Sequence, residues 1–295
     1  MGTTVFRSRA LPYLLLLPQL LILVVFFYWP AGQAIYQSVM MTDAFGGNPQ
    51  FVGADNFVRL FESAEYHESI RVTFTFSLLV ALISTVAGLV LALFVDRVVR
   101  GRGTYRTLLL WPYAVAPAIV GLLWIFLLDP GIGLVAFVLI KGFGLTWRPN
   151  LNPAHGLALV VVASIWKQVS YNFIFFLAGL QAIPRLLIEQ AAIDGAGVLR
   201  RTRDIVIPLL GPTTFFLMVM NIVYAFFETF GIVHVMTRGG PGTATTILAY
   251  KTYRDGFVSL DYGASGAQSA ILMVLVIVLT LVQFRLIERR VHYAS

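Results

Sequence analysis

Two charged side chains, Lys167 and Glu228, lie inside long runs of otherwise uncharged residues. A lysine ammonium is a compact point charge suited to an anionic group such as a phosphate, whereas a carboxylate repels one unless the lysine neutralises it. Gln168, Tyr171 and Asn172 follow Lys167, and Tyr224 stands one helical turn before Glu228. Their amide and hydroxyl groups can bond the hydroxyls of a small polar solute. These six residues are the candidates for a polar path. The competing reading is a buried Lys167–Glu228 ion pair that fixes helix packing, with Asn221, Tyr224 and Gln283 gluing helices together. Other chemistry finds no support. Cysteine is absent, and His67, His155, His234 and His292 are scattered over loops and run ends. Neither His-Glu-x-x-His, Gly-x-Ser-x-Gly nor a Gly-x-x-x-x-Gly-Lys-Ser phosphate loop occurs, so the chain is not expected to be an enzyme, and no cofactor is implied.

The elements that must hold these groups are membrane helices. Hydrophobic residues make up 58% of the 295 and charged residues only 12%, with a mean hydropathy of +0.83. A hydrocarbon layer about 30 Å thick needs about 20 apolar helical residues to cross it, because lipid cannot satisfy backbone amides. Runs of that kind occur at Leu11–Trp29, Val72–Val95, Leu108–Leu128, His155–Leu180, Thr213–Met236 and Ala267–Ile287. Residues 134–140 are too short to cross. The expected fold is all-α, a polytopic membrane protein of six spans forming one domain over 1–295. Pro112 and Pro117 are expected to break the first turns of span three. Span one follows Arg7 and Arg9 but is too long for a signal sequence and is expected to stay uncleaved. Counted from the outer ends of their spans, Lys167 lies about 18 Å deep and Glu228 about 12 Å.

The net charge of +7 is not that of a nucleic-acid binder, because the basic residues fall in short clusters between the apolar runs. One face collects Arg7, Arg9, Arg97, Arg100, Arg102, Arg106, Arg185, Arg200, Arg201, Arg203, Arg285, Arg289 and Arg290; the other has only Arg59, Arg71, Lys141, Arg148, Arg238, Lys251 and Arg254. The positive-inside rule places both termini in the cytoplasm. Residues 30–70, 129–154 and 237–266 then form outer loops.

The cytoplasmic loop 181–212 contains Ile183-Pro-Arg-Leu-Leu-Ile-Glu-Gln-Ala-Ala-Ile-Asp-Gly-Ala-Gly. Pro184 suits a first helical turn, and Gly195 and Gly197 suit its stop. Ala191, Ala192 and Ala196 keep the profile low between Glu189, Asp194 and Arg200, so another protein's surface can approach closely. A helix lying on lipid headgroups is the alternative, but small and acidic residues suit it poorly. With Ile207-Pro208 and Pro212, this stretch resembles the "EAA" loop of bacterial ABC import permeases, with Gln190 in place of the usual first Ala and Thr202 where an aromatic is common. Arg238-Gly239-Gly240-Pro241, Thr245-Thr246, Tyr250 and Tyr253 resemble the outer loop of the sugar-type permeases. Phe51-Val-Gly-Ala-Asp-Asn-Phe57 and Trp166-Lys-Gln-Val-Ser-Tyr-Asn-Phe173 are similar to the first permease subunits of glycerol-phosphate importers.

The resemblance implies a type I ABC importer permease in a bacterial inner membrane, working with a second permease, two ATP-binding subunits that hydrolyse the ATP, and a periplasmic solute-binding protein. It implies a coupling helix at Glu189, Ala191, Ala192, Asp194, Gly195, Ala196, Gly197 and Arg200, and a binding-protein contact at Arg238, Gly239, Gly240, Pro241, Tyr250 and Tyr253. The implied cargo is sn-glycerol-3-phosphate or a glycerophosphodiester, with a sugar as the alternative. An ion-coupled secondary transporter is the alternative of another class, but it has no use for a docking loop.

Overall fold

The computed structural model describes residues 10–43, 47–97 and 102–290. Arg7, Arg9 and Arg100, on which the orientation partly rests, lie outside the described residues. Contacts divide the chain into two compact units, one formed by residues 1–63 with 252–274 and the other by 64–251 with 275–295.

In the first unit, span one is a helix over Tyr13–Ser38 with a π turn at Val24–Tyr28, and its side chains are exposed along almost the whole length. A short antiparallel pair, Met40–Met41 with Gln50–Phe51, follows. Asn56 closes this region by donating from Nδ2 to the carbonyls of Ser38 and Met40, each at 2.9 Å.

The second unit is built on two long helices, span two at Ala64–Arg97 and span four at Pro153–Ala182. Span four begins where Asn152 accepts from the amides of Ala154 and His155, with Pro153 in the first turn, where its missing N–H costs nothing. Gly88 lets the two helices touch: a Cβ there would stand 2.4 Å from the Cβ of Asn172. At the end beside residues 181–212, called the inner end after the expected orientation, Ala92 and Val95 of span two and Phe173, Phe176 and Leu180 of span four form a core with Val206, Leu210 and Leu217.

Span three departs from expectation. It is not one helix with frayed first turns but two, Arg102–Ala114 and Pro117–Leu128, bent by 103° near its middle. Pro112 sits inside the inner helix without ending it. The break comes at Ala116, whose extended backbone (φ −61°, ψ 142°) is what a residue before proline prefers. Span five is also interrupted: Gly211–Val223 continues as a π turn over Tyr224–Glu228, and after Thr229 the chain resumes at Phe230–Met236. Span six lies in the Tyr262–Arg290 helix. Among the described residues, five helices are long and apolar enough to cross a membrane, and counting the bent pair as one span gives six.

Candidate functional site

The loop after span four folds as the small helix Arg185–Ile193. Pro184 stands at its N-cap, one residue outside the first turn expected for it. Its far end closes through two bonds, Gly195 N–H to the Ala192 carbonyl at 3.1 Å and Ala196 N–H to the Ala191 carbonyl at 2.9 Å, around Gly195 at φ +79°. This is a Schellman stop, which needs a left-handed residue at that position. Gly197 does a different job, standing extended as the N-cap of Val198–Arg201. The loop is seated by Ile183, Val206 and Leu210, all buried in the inner core. The guanidinium of Arg201 donates to the Ile188 carbonyl at 3.4 Å and so joins the two short helices.

Glu189, Ala192, Asp194, Gly195, Gly197 and Arg200 are exposed on the resulting surface, and Ala191 and Ala196 are half-buried. Arg200 pairs with Asp204 at 3.5 Å. Leu186, Ile193 and Leu199 are exposed too, Ile193 at 85%. Sequence reasoning passed over these three apolar side chains, and read Arg201 only as positive charge, not as the tie between the two short helices. The signal for the three was their large size among alanines and glycines.

The intramembrane polar residues are mostly engaged with one another. Asn172 and Asn221 exchange side-chain amide hydrogen bonds, each at 2.9 Å. Gln168 donates to the same Asn221 oxygen at 2.8 Å, and Asn221 donates to Thr85 Oγ1 at 2.9 Å. Gln168, Asn172 and Asn221 are buried, so this network ties spans two, four and five together and leaves no side-chain amide of Gln168 or Asn172 facing an open path. Tyr224 is buried as well, with its hydroxyl at 3.4 Å from the Ser164 carbonyl. Replacing Asn221 with Leu strands the buried Gln168 donor on span four and leaves Asn172 Oδ1 and Thr85 Oγ1 without their donor, and interhelical bonds of this kind are individually modest. The Asn221→Leu complex is expected to lose about 2 kcal/mol of stability in a denaturant titration in detergent, and an unchanged midpoint would show that the network does not hold the bundle.

Lys167 and Glu228 do not form the expected ion pair. The Lys167 ammonium donates instead to the carbonyls of Tyr113 at 2.8 Å and Val115 at 2.9 Å, and lies 5.1 Å from the centre of the Tyr113 ring. The broken span three supplies acceptors within reach of the ammonium, because its carbonyls have lost their helical partners. Glu228 is exposed at the end of its π turn. Tyr171 is half-buried and packs between Tyr113, at 5.7 Å, and Phe175, at 4.7 Å.

In the outer loop, Arg238 is exposed at φ +50° and Gly239 is buried at φ +84°. A Cβ on Gly239 would meet Thr246 Oγ1 at 2.6 Å. Thr245 and Thr246 donate to the carbonyls of Gly240 and Gly239, at 2.9 and 3.1 Å, so the turn is locked from beneath. Pro241 and Gly240 are half-buried. Tyr250, expected at the surface, is buried beside Phe230 and His234, and Tyr253 is half-buried and stacked on Phe257. Arg238 is the one member of this group turned fully outward.

Residues 84–293 match the family of binding-protein-dependent transport system inner membrane components. The chain is 56% identical over 293 residues to the sn-glycerol-3-phosphate transport system permease protein UgpA of Rhizobium meliloti, covering 99% of this chain and all of that one. It is 54% identical over 288 residues to the UgpA of Yersinia pestis, covering 98% and 97%. Among solved structures, a chain of a bacterial ABC transporter that imports the acidic polysaccharide alginate superposes with a TM-score of 0.80 at 25% identity, covering 96% of each chain. A chain of the MetNI methionine ABC transporter shares the fold, with a TM-score of 0.56 at 14% identity, covering 76% of this chain and 95% of that one.

Proposed function

Because this chain belongs to the family of inner membrane components of binding-protein-dependent transport systems, we propose that it carries sn-glycerol-3-phosphate, or glycerophosphodiesters, inward as one of two unlike permeases. It is a multi-pass inner-membrane permease and not an enzyme; ATP hydrolysis belongs to separate ATP-binding subunits. The cargo reading is carried by the full-length identity of 54 to 56% to the UgpA permeases.

Each element then has a task. The exposed helix at Arg185–Ile193 docks on an ATP-binding subunit through Glu189, Ala192, Asp194, Gly195, Arg200 and the apolar Leu186, Ile193 and Leu199. Its base is seated in the inner core, so ATP-driven closure of the partners moves spans four and five with it. Arg238 presents a positive charge to a loaded binding protein outside. The bundle opens alternately to each side as the two partners engage. Both termini lie in the cytoplasm, on the side of the docking helix. An exposed carboxylate at membrane depth is costly against lipid, so Glu228, with Tyr171, faces the second permease or the cargo path.

The test is ATP-dependent uptake of radiolabelled sn-glycerol-3-phosphate into cells lacking their own importer and carrying this chain with its partner subunits. Uptake that needs the ATP-binding subunits supports the proposal. Uptake without them returns an ion-coupled transporter to first place. Uptake of an acidic oligosaccharide but not of glycerol phosphate favours the reading suggested by the alginate importer, whose chain shares the fold.

A further inference from the structure

The break in span three leaves two carbonyls without their helical donors. Tyr113's carbonyl would bond the amide of residue 117, but that residue is proline and has no N–H. Val115's carbonyl points out of the inner helix where the chain turns at Ala116. In a hydrocarbon layer no water is at hand, and an unsatisfied backbone group is costly. Among the described residues, the only donor brought to either carbonyl is the ammonium of Lys167. A lysine has three donors and a positive charge. Here two of those donors meet carbonyls at the negative end of a helix, and the ring of Tyr113 lies beside the charge.

The neighbouring residue holds the same bend from inside. The Trp166 ring packs edge to face against Trp111 on the inner helix, at 5.6 Å, and against Trp124 on the outer helix, at 6.1 Å. On one side, residues of both arms also line an apolar cavity of about 840 Å³, among them Leu108, Trp111, Pro112 and Trp124, together with Trp166. Span four, which carries Trp166 and Lys167, is itself fixed to spans two and five by the Gln168–Asn172–Asn221 network.

We propose that Lys167 is a positioning residue that sets the bent shape of span three, replacing the backbone donor removed at Pro117 and capping the Val115 carbonyl at the turn, with Trp166 as the wedge between the two arms. It contacts no cargo. Any reshaping of span three during transport must first release two bonds from one ammonium, so the clamp fixes which shape the resting permease holds.

The shape can be read directly. The chain has no cysteine, so spin labels on Tyr105→Cys and Phe126→Cys, both exposed positions, report only the two arms. In a straight helix those backbone positions stand about 31 Å apart, and with the observed bend about 19 Å. The assembled complex is expected to give the short distance, and Lys167→Met is expected to broaden and lengthen it while uptake falls about tenfold. Lys167→Arg, which keeps charged donors, is expected to restore the short distance. In a Pro117→Ala background residue 117 regains an amide for the Tyr113 carbonyl and only the Val115 carbonyl still depends on the lysine, so adding Lys167→Met is expected to lengthen the distance less than it does in the parent. An unchanged distance in Lys167→Met overturns the proposal. So does the full loss of uptake, about tenfold, with no change of distance when Lys167→Met is added to Pro117→Ala, since that assigns the lysine to the cargo path. The uptake arms rest on the proposed function, whereas the distance arms do not, so failure to transport glycerol phosphate leaves the clamp tested on its own.

Discussion

Gly195→Asp is expected to abolish uptake while the complex still assembles. Gly195 closes the docking helix at φ +79°, where an L residue costs about 1–2 kcal/mol, though Asn and Asp bear it better than most. A Cβ there would meet nothing within 4 Å and the position is exposed, so the membrane bundle does not feel the change. What changes is the surface offered to the ATP-binding subunit: a second carboxylate appears beside Asp194 on a close-fitting face. Gly195→Asn separates the two effects, since Asn adopts the left-handed conformation readily and carries no charge. Uptake is expected at less than about a tenth of normal for Asp and at more than about half for Asn, because the strain in the Asn variant is small. The complex recovered in detergent should be equal for all three chains, and basal ATP hydrolysis should persist. Equal uptake by the Asp variant would remove this helix from the coupling path. Loss in both variants would show that the turn geometry, not charge, is what the partner reads.

The contrast between these glycines and the prolines shows what could be read from sequence. Lipid forces apolar helical runs of nearly fixed length, so the six spans were legible, and the Gly195 stop was legible because few residues can end a helix that way. Pro112 and Pro117 look alike in sequence, yet only Pro117 accompanies a break. The difference lies in the tertiary partner: Lys167 supplies donors to the carbonyls exposed at the second proline. The Lys167–Glu228 pair failed for a related reason. Counting residues gives depth along a helix but not rotation about it, and at 100° per residue the packing of neighbours decides which way a side chain faces. The π turn at Tyr224–Glu228 adds a further rotation that the sequence did not signal. Tyr250 was misplaced because a loop position was equated with exposure, whereas the buried Gly239 and Thr246 draw that segment into the core.

Gly88→Leu is expected to have the largest effect on the protein itself. The virtual Cβ at Gly88 lies 2.4 Å from the Cβ of Asn172 and 3.1 Å from the backbone of Asn172 and Phe173. No flexible side chain can yield there, so span four must move away from span two. That displacement carries Asn172 with it and pulls its side chain from Asn221, so overpacking and lost interhelical hydrogen bonds act together. Overpacking alone typically costs about 1–3 kcal/mol, and the stranded amides add to it. Because Phe173 and Phe176 sit one step along the same helix in the inner core, the seat of the docking helix is disturbed as well. The variant complex should accumulate at roughly a tenth or less of the normal amount, consistent with a penalty of about 3 kcal/mol or more. Gly103→Leu is the control, since a Cβ there meets nothing within 4 Å, and its accumulation and unfolding midpoint should match the parent. A Gly88→Leu complex of normal amount and midpoint would mean that spans two and four do not pack backbone to backbone. The polar network of Gln168, Asn172 and Asn221 would then need another explanation for its burial.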